Sequence, residues 1–216
     1  MDRFFNQDSP LYRFLNRLGD LILLNLLFIV TSIPLVTIGA SLSALYTVTL
    51  KGVRKEDSYI VRSYFAAFKE NFKKATCLWL LLAAVWLVLG IDVFVIAKRN
   101  GPLVFMGGVF GVIWLLITIY AFALQARFEN SVRNTILNSL VAGVKFLPYT
   151  IQILGILVFS PILMVLLAVF SPTLLGWFCS LFLFVGFSGV AWCSSFLYRK
   201  VFDRLMEFDQ SAQQQG

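Results

Sequence analysis

Four apolar runs occupy residues 75–97, 103–126, 149–170 and 174–197. Each supplies the roughly twenty helical residues that cross a hydrocarbon core about 30 Å thick. KRNGP separates the first pair and SPT the second, and both are turn chemistry. An earlier stretch, LGDLILLNLLFIVTSIPLVTIGASLSALYTVTL at residues 18–50, is apolar or small apart from Asp20 and Asn25. It is too long for one upright span, yet each half around Pro34 is short of a full one. Ser9-Pro10 is a helix start that would lengthen the first half, and the second half can run on to Gly52.

Two segments between the runs alternate differently. In EDSYIVRSYFAAFKENFKKA, helical spacing puts Val61, Tyr64, Phe65, Phe68 and Phe72 on one face, with Arg62, Lys69, Glu70, Lys73 and Lys74 largely elsewhere. The pattern predicts an amphipathic helix over 57–75, capped at Asp57 or Ser58 and lying on the membrane surface. RFENSVRNTILNSLVAGVKFLPYT reads similarly, with Phe128, Val132, Ile136, Leu140 and Val144 on its apolar side and Pro148 opening the next span.

Positive charge decides how residues 18–50 cross. Arg3, Arg13 and Arg17 precede the stretch, and seven basic residues from Lys51 to Lys74 follow it. If the stretch crosses twice, all eighteen basic residues except Lys98 and Arg99 fall on one side. If it crosses once, that bias collapses. The positive-inside rule therefore favours two crossings that turn at 34–39, with both termini cytoplasmic. A re-entrant hairpin keeps the same charges inside and needs backbone partners at its tip. The fold class expected is all-α: a polytopic membrane bundle of about six spans with two amphipathic cytoplasmic surface helices. It forms one domain over 1–208, followed by a disordered polar tail at 209–216.

Composition agrees. The chain is 59% hydrophobic and 13% charged, with mean hydropathy +0.84, whereas a soluble domain carries about 25% charged residues. The opening MDRFFNQDSPLYRFLNRLGD lacks a compact apolar run with a small-residue cleavage site, so no cleaved signal peptide is expected. A net charge of +7 would suggest nucleic acid for a soluble protein. For basic loops at a bilayer it points to anionic lipid headgroups instead, and no nucleic-acid partner is expected. Cys77, Cys179 and Cys193 form no CxxC pair and read as small apolar packing residues. Histidine is absent, which removes His triads, HExxH zinc sites and His proton relays.

Candidate chemistry is sparse. Asp20 and Asp92 are the ionisable groups within spans; both sit near span ends, where Arg13 and Arg17, or Lys98 and Arg99, can pair with them. Asn25 can bond across helices. Pro34 and Gly39 bracket a turn. Gly39/Ser43, Ala40/Ala44 and Gly107/Gly111 are small-xxx-small pairs that let helices approach closely. Arg62, Lys69, Asn71, Lys73 and Lys74 form the polar side of the first amphipathic segment and are candidate lipid or partner contacts. No catalytic group, cofactor site or metal site is expected.

NLLFIVTSIPLVTIGASLSALY followed by SYFAAFKENFKKAT resembles the YesL-like family of small bacterial multi-pass membrane proteins, over roughly residues 11–204. That family has no established activity or functional residues. Its genes lie near sugar ABC transporters and glycan-degrading enzymes, so the resemblance implies a companion of carbohydrate uptake. ENSVRNTILNSLVAGVKFLP carries Glu129 and Leu147-Pro148 of an ABC permease coupling helix, but its small residues fall at other offsets, which argues against a permease. The expectation is a non-enzymatic auxiliary or regulatory subunit whose partner is a membrane transporter or a second copy. The alternative is a small transporter or channel for a neutral or anionic solute.

Overall fold

Prolines set most of the helix boundaries in the computed structural model, which describes residues 10–56, 59–96 and 102–214. Pro10 opens α1 (Pro10–Ser32). Pro34 follows its end, and a 3-10 turn (Leu35–Thr37) leads into α2 (Ile38–Val53). α3 spans Ile60–Ile96, and Pro102 opens α4 (Pro102–Arg127). α5 (Val132–Lys145) is capped by Ser131, whose hydroxyl accepts the Asn134 N–H at 3.3 Å. Pro148 lies in the first turn of α6 (Leu147–Phe170), and Pro172 opens α7 (Pro172–Gln214). Proline suits these positions because the first turn of a helix needs no N–H partner. Among the described residues there is no strand. Six helices are long and apolar enough to cross a membrane: α1, α2 with its 3-10 turn, α3, α4, α6 and α7.

Three expectations are corrected. The first amphipathic segment is not a separate surface helix. Its described part forms the opening half of α3, which runs 37 residues, about 55 Å, without a break. Nothing stops it near Ala75, because 60–96 holds no proline and only Gly90 as a glycine. Part of its apolar face packs into the protein: Tyr64 and Ala67 are buried and Phe68 rests on the core, while Val61, Phe65 and Phe72 stay exposed. The proposed cap at Asp57 or Ser58 lies outside the described residues. The polar tail is helical through Gln214, since Ser211 to Gln214 contain no breaker after a long helix; residues 215–216 lie outside the described residues. Finally, Gly107 and Gly111 meet nothing within 4 Å, so they are no seam within this chain.

α2 is the centre of the bundle and touches α1, α3, α4 and α7. Its small residues permit this. Gly39 sits against Ala75 O and Trp79, where a Cβ would lie 2.5 Å from Trp79 Cβ. Below it Tyr46, Tyr120, Tyr198 and Phe202 form a buried aromatic cluster, with Tyr198 ring centroids 5.4, 5.6 and 5.9 Å from the other three. α6 hangs on α7 and buries only Thr150 and Ile153.

Polar side chains inside the bundle bolt helix to helix. Asn25 Nδ2 donates to the Leu183 carbonyl at 2.7 Å, and its Oδ1 accepts the Ser188 N–H at 2.9 Å. The Thr31 and Tyr64 hydroxyls lie 2.6 Å apart, and Ser41 donates to Thr31 at 3.0 Å. Thr135 donates to Gln125 Oε1 at 2.9 Å, and Gln125 Nε2 donates to Asn71 Oδ1 at 3.3 Å. Ser195 donates to Thr49 at 2.8 Å. The start of α1, the α2–α3 connection and the late part of α7 meet at one end, where most basic residues collect.

Candidate functional site

A partly enclosed polar space lies at that basic end. α2 stops in a Schellman motif: the Glu56 N–H reaches Lys51 O at 3.1 Å and the Lys55 N–H reaches Gly52 O at 3.2 Å. Such a motif needs a left-handed residue, usually glycine. Here it is Lys55, with φ 62°, in a conformation that costs an ordinary residue about 1 kcal/mol. The motif leaves Lys55 and Glu56 lining a cavity of about 120 Å³ with Arg17, Asp20, Thr49 and Trp192.

Two further contacts fix its walls. The Arg17 guanidinium stacks 4.3 Å from the Trp192 ring centroid, a cation–π contact. Gly52 makes room for that stack, since a Cβ there would lie 2.6 Å from Trp192 Cζ3. Behind the cavity Arg54, largely buried, sits 3.8 Å from Glu56 and 3.7 Å from Asp203. Arg199 holds Asp203 at 3.6 Å and donates to the Val53 carbonyl at 3.1 Å. The α2–α3 connection is thus tied to α7 by both charge and main-chain bonds.

Two cations and two carboxylates face a space that holds about four waters at roughly 30 Å³ each. It can hold water or a small ion. Among the described residues no group of three His, Cys, Asp or Glu side chains is placed to hold a metal ion. A separate hollow at the end of α5 and α6 is lined by Lys145, Tyr149, Arg204 and Glu207. An open apolar groove runs between α6 and α7 past Gly155, Phe159, Gly189 and Cys193.

Of the candidate polar positions read from sequence, Asp20 lines the cavity, together with Arg17, one of its expected partners. Asp20 is in none of the ion pairs Arg54–Glu56, Arg54–Asp203 and Arg199–Asp203. Asn25 is fully buried and bonds across to α7. Pro34 and Gly39 flank the α1–α2 turn. Asp92 is exposed, and Lys98 and Arg99, its expected partners, lie outside the described residues. Arg62, Lys69, Lys73 and Lys74 are exposed on α3. Asn71 is not with them. It points inward, donating to Ala67 O at 3.2 Å and accepting from Gln125, because its helix packs against α4 instead of lying on lipid. Arg54, Lys55, Trp192, Arg199 and Asp203 escaped the sequence reading; the only signal was GVRKED, a glycine and charges at the end of an apolar run.

Comparison with known proteins adds one match. Residues 21–93 match a family described as "Protein of unknown function, DUF624". The match covers roughly a third of the chain: α1 from Leu21, all of α2 and most of α3. It takes in Thr49, Gly52, Lys55 and Glu56 of the cavity but not Arg17 or Trp192. No curated protein and no solved structure matches the chain.

Proposed function

We propose that this chain is a non-enzymatic auxiliary subunit of a larger membrane assembly, with its basic end and both termini in the cytoplasm. One observation carries the reading: most interior polar side chains are spent on locking helices together, with the hydroxyls of Ser32, Ser43, Ser63 and Thr76 buried without a partner among the described residues. Asn25, Thr31, Tyr64, Gln125, Thr135, Thr49 and Ser195 all bond within the bundle. A solute path needs polar groups left free to exchange partners, and such an interior offers a scaffold instead. The exposed Arg62, Lys69, Lys73 and Lys74 on α3 supply a cationic face for anionic lipid headgroups or an acidic partner surface. The finer reading, an accessory to carbohydrate uptake, draws support from the resemblance of NLLFIVTSIPLVTIGASLSALY and SYFAAFKENFKKAT to YesL-like proteins.

The cavity at the basic end favours a second reading, a small transporter or channel for a neutral or anionic solute. Size weighs against it, because about 120 Å³ is below the roughly 300–1,000 Å³ of ordinary ligand pockets. Leu21, Leu24 and Val48 also give the cavity apolar walls. Purified protein reconstituted into liposomes separates the two. The auxiliary reading expects no solute flux above protein-free liposomes, together with a defined membrane protein retained on purification from native membranes in mild detergent. Saturable flux without a partner would overturn it.

A further inference from the structure

The α1–α2 hairpin stops short of the ends of α3 and α4. Gly39 packs on Ala75 and Trp79, and Trp79 Nε1 donates to the Leu35 carbonyl at 3.0 Å, so the turn is level with Trp79. α3 continues from there to Ile96, about 25 Å further at 1.5 Å per residue. α4 gives a similar answer. Thr47 donates to Ala126 O at 3.4 Å, a parallel register that leaves Pro102 about 18 Å beyond the turn. At its other end the hairpin is set low, with Val53 and Arg54 held by Arg199 and Asp203 past the apolar run of α7.

The chemistry of the tip matches that depth. Val30, Ile33, Leu35 and Val36 are 62%, 74%, 75% and 53% exposed, a surface suited to hydrocarbon and not to water. Several polar atoms of the tip are paired within the chain, although the buried Ser32 Oγ has no partner among the described residues. Thr37 Oγ1 donates to Thr31 O at 2.6 Å and to Pro34 O at 2.7 Å, the Thr37 N–H also reaches Pro34 O, and Trp79 takes Leu35 O. A chain reversal inside the bilayer requires that satisfaction, because an unpaired backbone group there costs several kcal/mol.

We infer that α1 and α2 form a re-entrant hairpin whose apolar tip, Val30 to Val36, is covered by acyl chains within the bilayer. α3, α4, α6 and α7 then make the full crossings. The charge distribution is unchanged, because a hairpin returns the chain to the side it left. The bonds made by Thr37 and Trp79 at the tip supply part of the backbone pairing that the sequence alone left open.

Depth-dependent quenching tests this. A bimane label is placed at L35C, or at V36C should the first variant fail to insert, with Cys77, Cys179 and Cys193 replaced by serine. The protein is reconstituted in phosphatidylcholine liposomes carrying spin labels either mid-chain or at the headgroup, with S171C at the α6–α7 turn as reference. Mid-chain spin labels are expected to quench position 35 more than headgroup labels do. Aqueous iodide is expected to quench it at least about threefold less than position 171, as a site within the hydrocarbon requires. Iodide quenching equal to that at 171 would place the tip at the water surface and overturn the inference. Shielding from both lipid and aqueous quenchers would overturn it too, by showing a protein surface on the tip.

Discussion

Replacing Asn25 with alanine removes a side chain that ties α1 to two main-chain groups of α7. Asn25 is fully buried, and its amide makes both the 2.7 Å bond to Leu183 O and the 2.9 Å bond from the Ser188 N–H. Hydrogen bonds between helices in a membrane average about 0.6 kcal/mol and reach about 1.7, so the pair is worth about 1–3 kcal/mol. The void left by the amide adds up to about 1 kcal/mol, since the packed neighbours relax only partly. Ser188 keeps its own bond to Leu21 O at 2.8 Å, which limits the loss. N25A should therefore destabilise the protein by about 2 kcal/mol, close to a thirtyfold change in the folded-to-unfolded ratio. The assay is equilibrium unfolding by sodium dodecyl sulfate in mixed micelles, followed by tryptophan fluorescence, with F170A as control. Phe170 is 80% exposed at the far end of α6, so F170A should stay within about 0.5 kcal/mol of the parent. An N25A variant that unfolds with the parent would refute the claim that this amide is a structural clamp.

Three further outcomes are expected. G39V drives a side chain into Ala75 O and Trp79 and should lose most folded protein on size-exclusion chromatography, while G107V, with nothing within 4 Å, should elute as the parent does. K55G relieves a left-handed lysine and should stabilise by about 0.5–1 kcal/mol in the same unfolding assay, whereas K55A, which removes the charge but keeps a Cβ at that φ, should not. Y64F deletes the hydroxyl 2.6 Å from Thr31 and should cost about 1 kcal/mol, the typical net worth of one buried hydrogen bond; no measurable change would remove it from the interhelical network.

Much of the architecture was legible because hydrophobic run length and proline are local signals. The apolar runs at 103–126, 149–170 and 174–197 became α4, α6 and the first part of α7, and Pro34 marks the turn between α1 and α2. The continuity of α3 was not legible. An amphipathic segment followed by a span reads the same whether the two share an axis or bend apart, and only the absence of a breaker between Ile60 and Ile96 hinted at one helix. Asn71 was misplaced for a related reason: its partner Gln125 lies 54 residues away, so spacing alone could not say which face of α3 is inward. The cavity was less legible still. Arg17, Lys55 and Trp192 come from three distant segments, and the stack of Arg17 on Trp192 exists only because Gly52 leaves room for it. For Gly107 and Gly111 the spacing could not say whether a seam lies within the chain or between copies; no other part of this chain comes within 4 Å of a Cβ added at either.

The central claim, a scaffold that engages a partner through the cationic face of α3, is tested most directly by reversing charge at Lys69 and Lys73. Both side chains are exposed, so K69E/K73E should express, insert and unfold like the parent. Membranes of the native host are solubilised in mild detergent, tagged parent and variant are purified in parallel, and the co-purifying membrane proteins are quantified by mass spectrometry. A partner should be retained in near-stoichiometric amount by the parent and reduced at least about tenfold in the variant, a loss of about 1.4 kcal/mol. A variant that inserts normally and retains every partner of the parent would contradict the claim and leave that face as a lipid anchor alone.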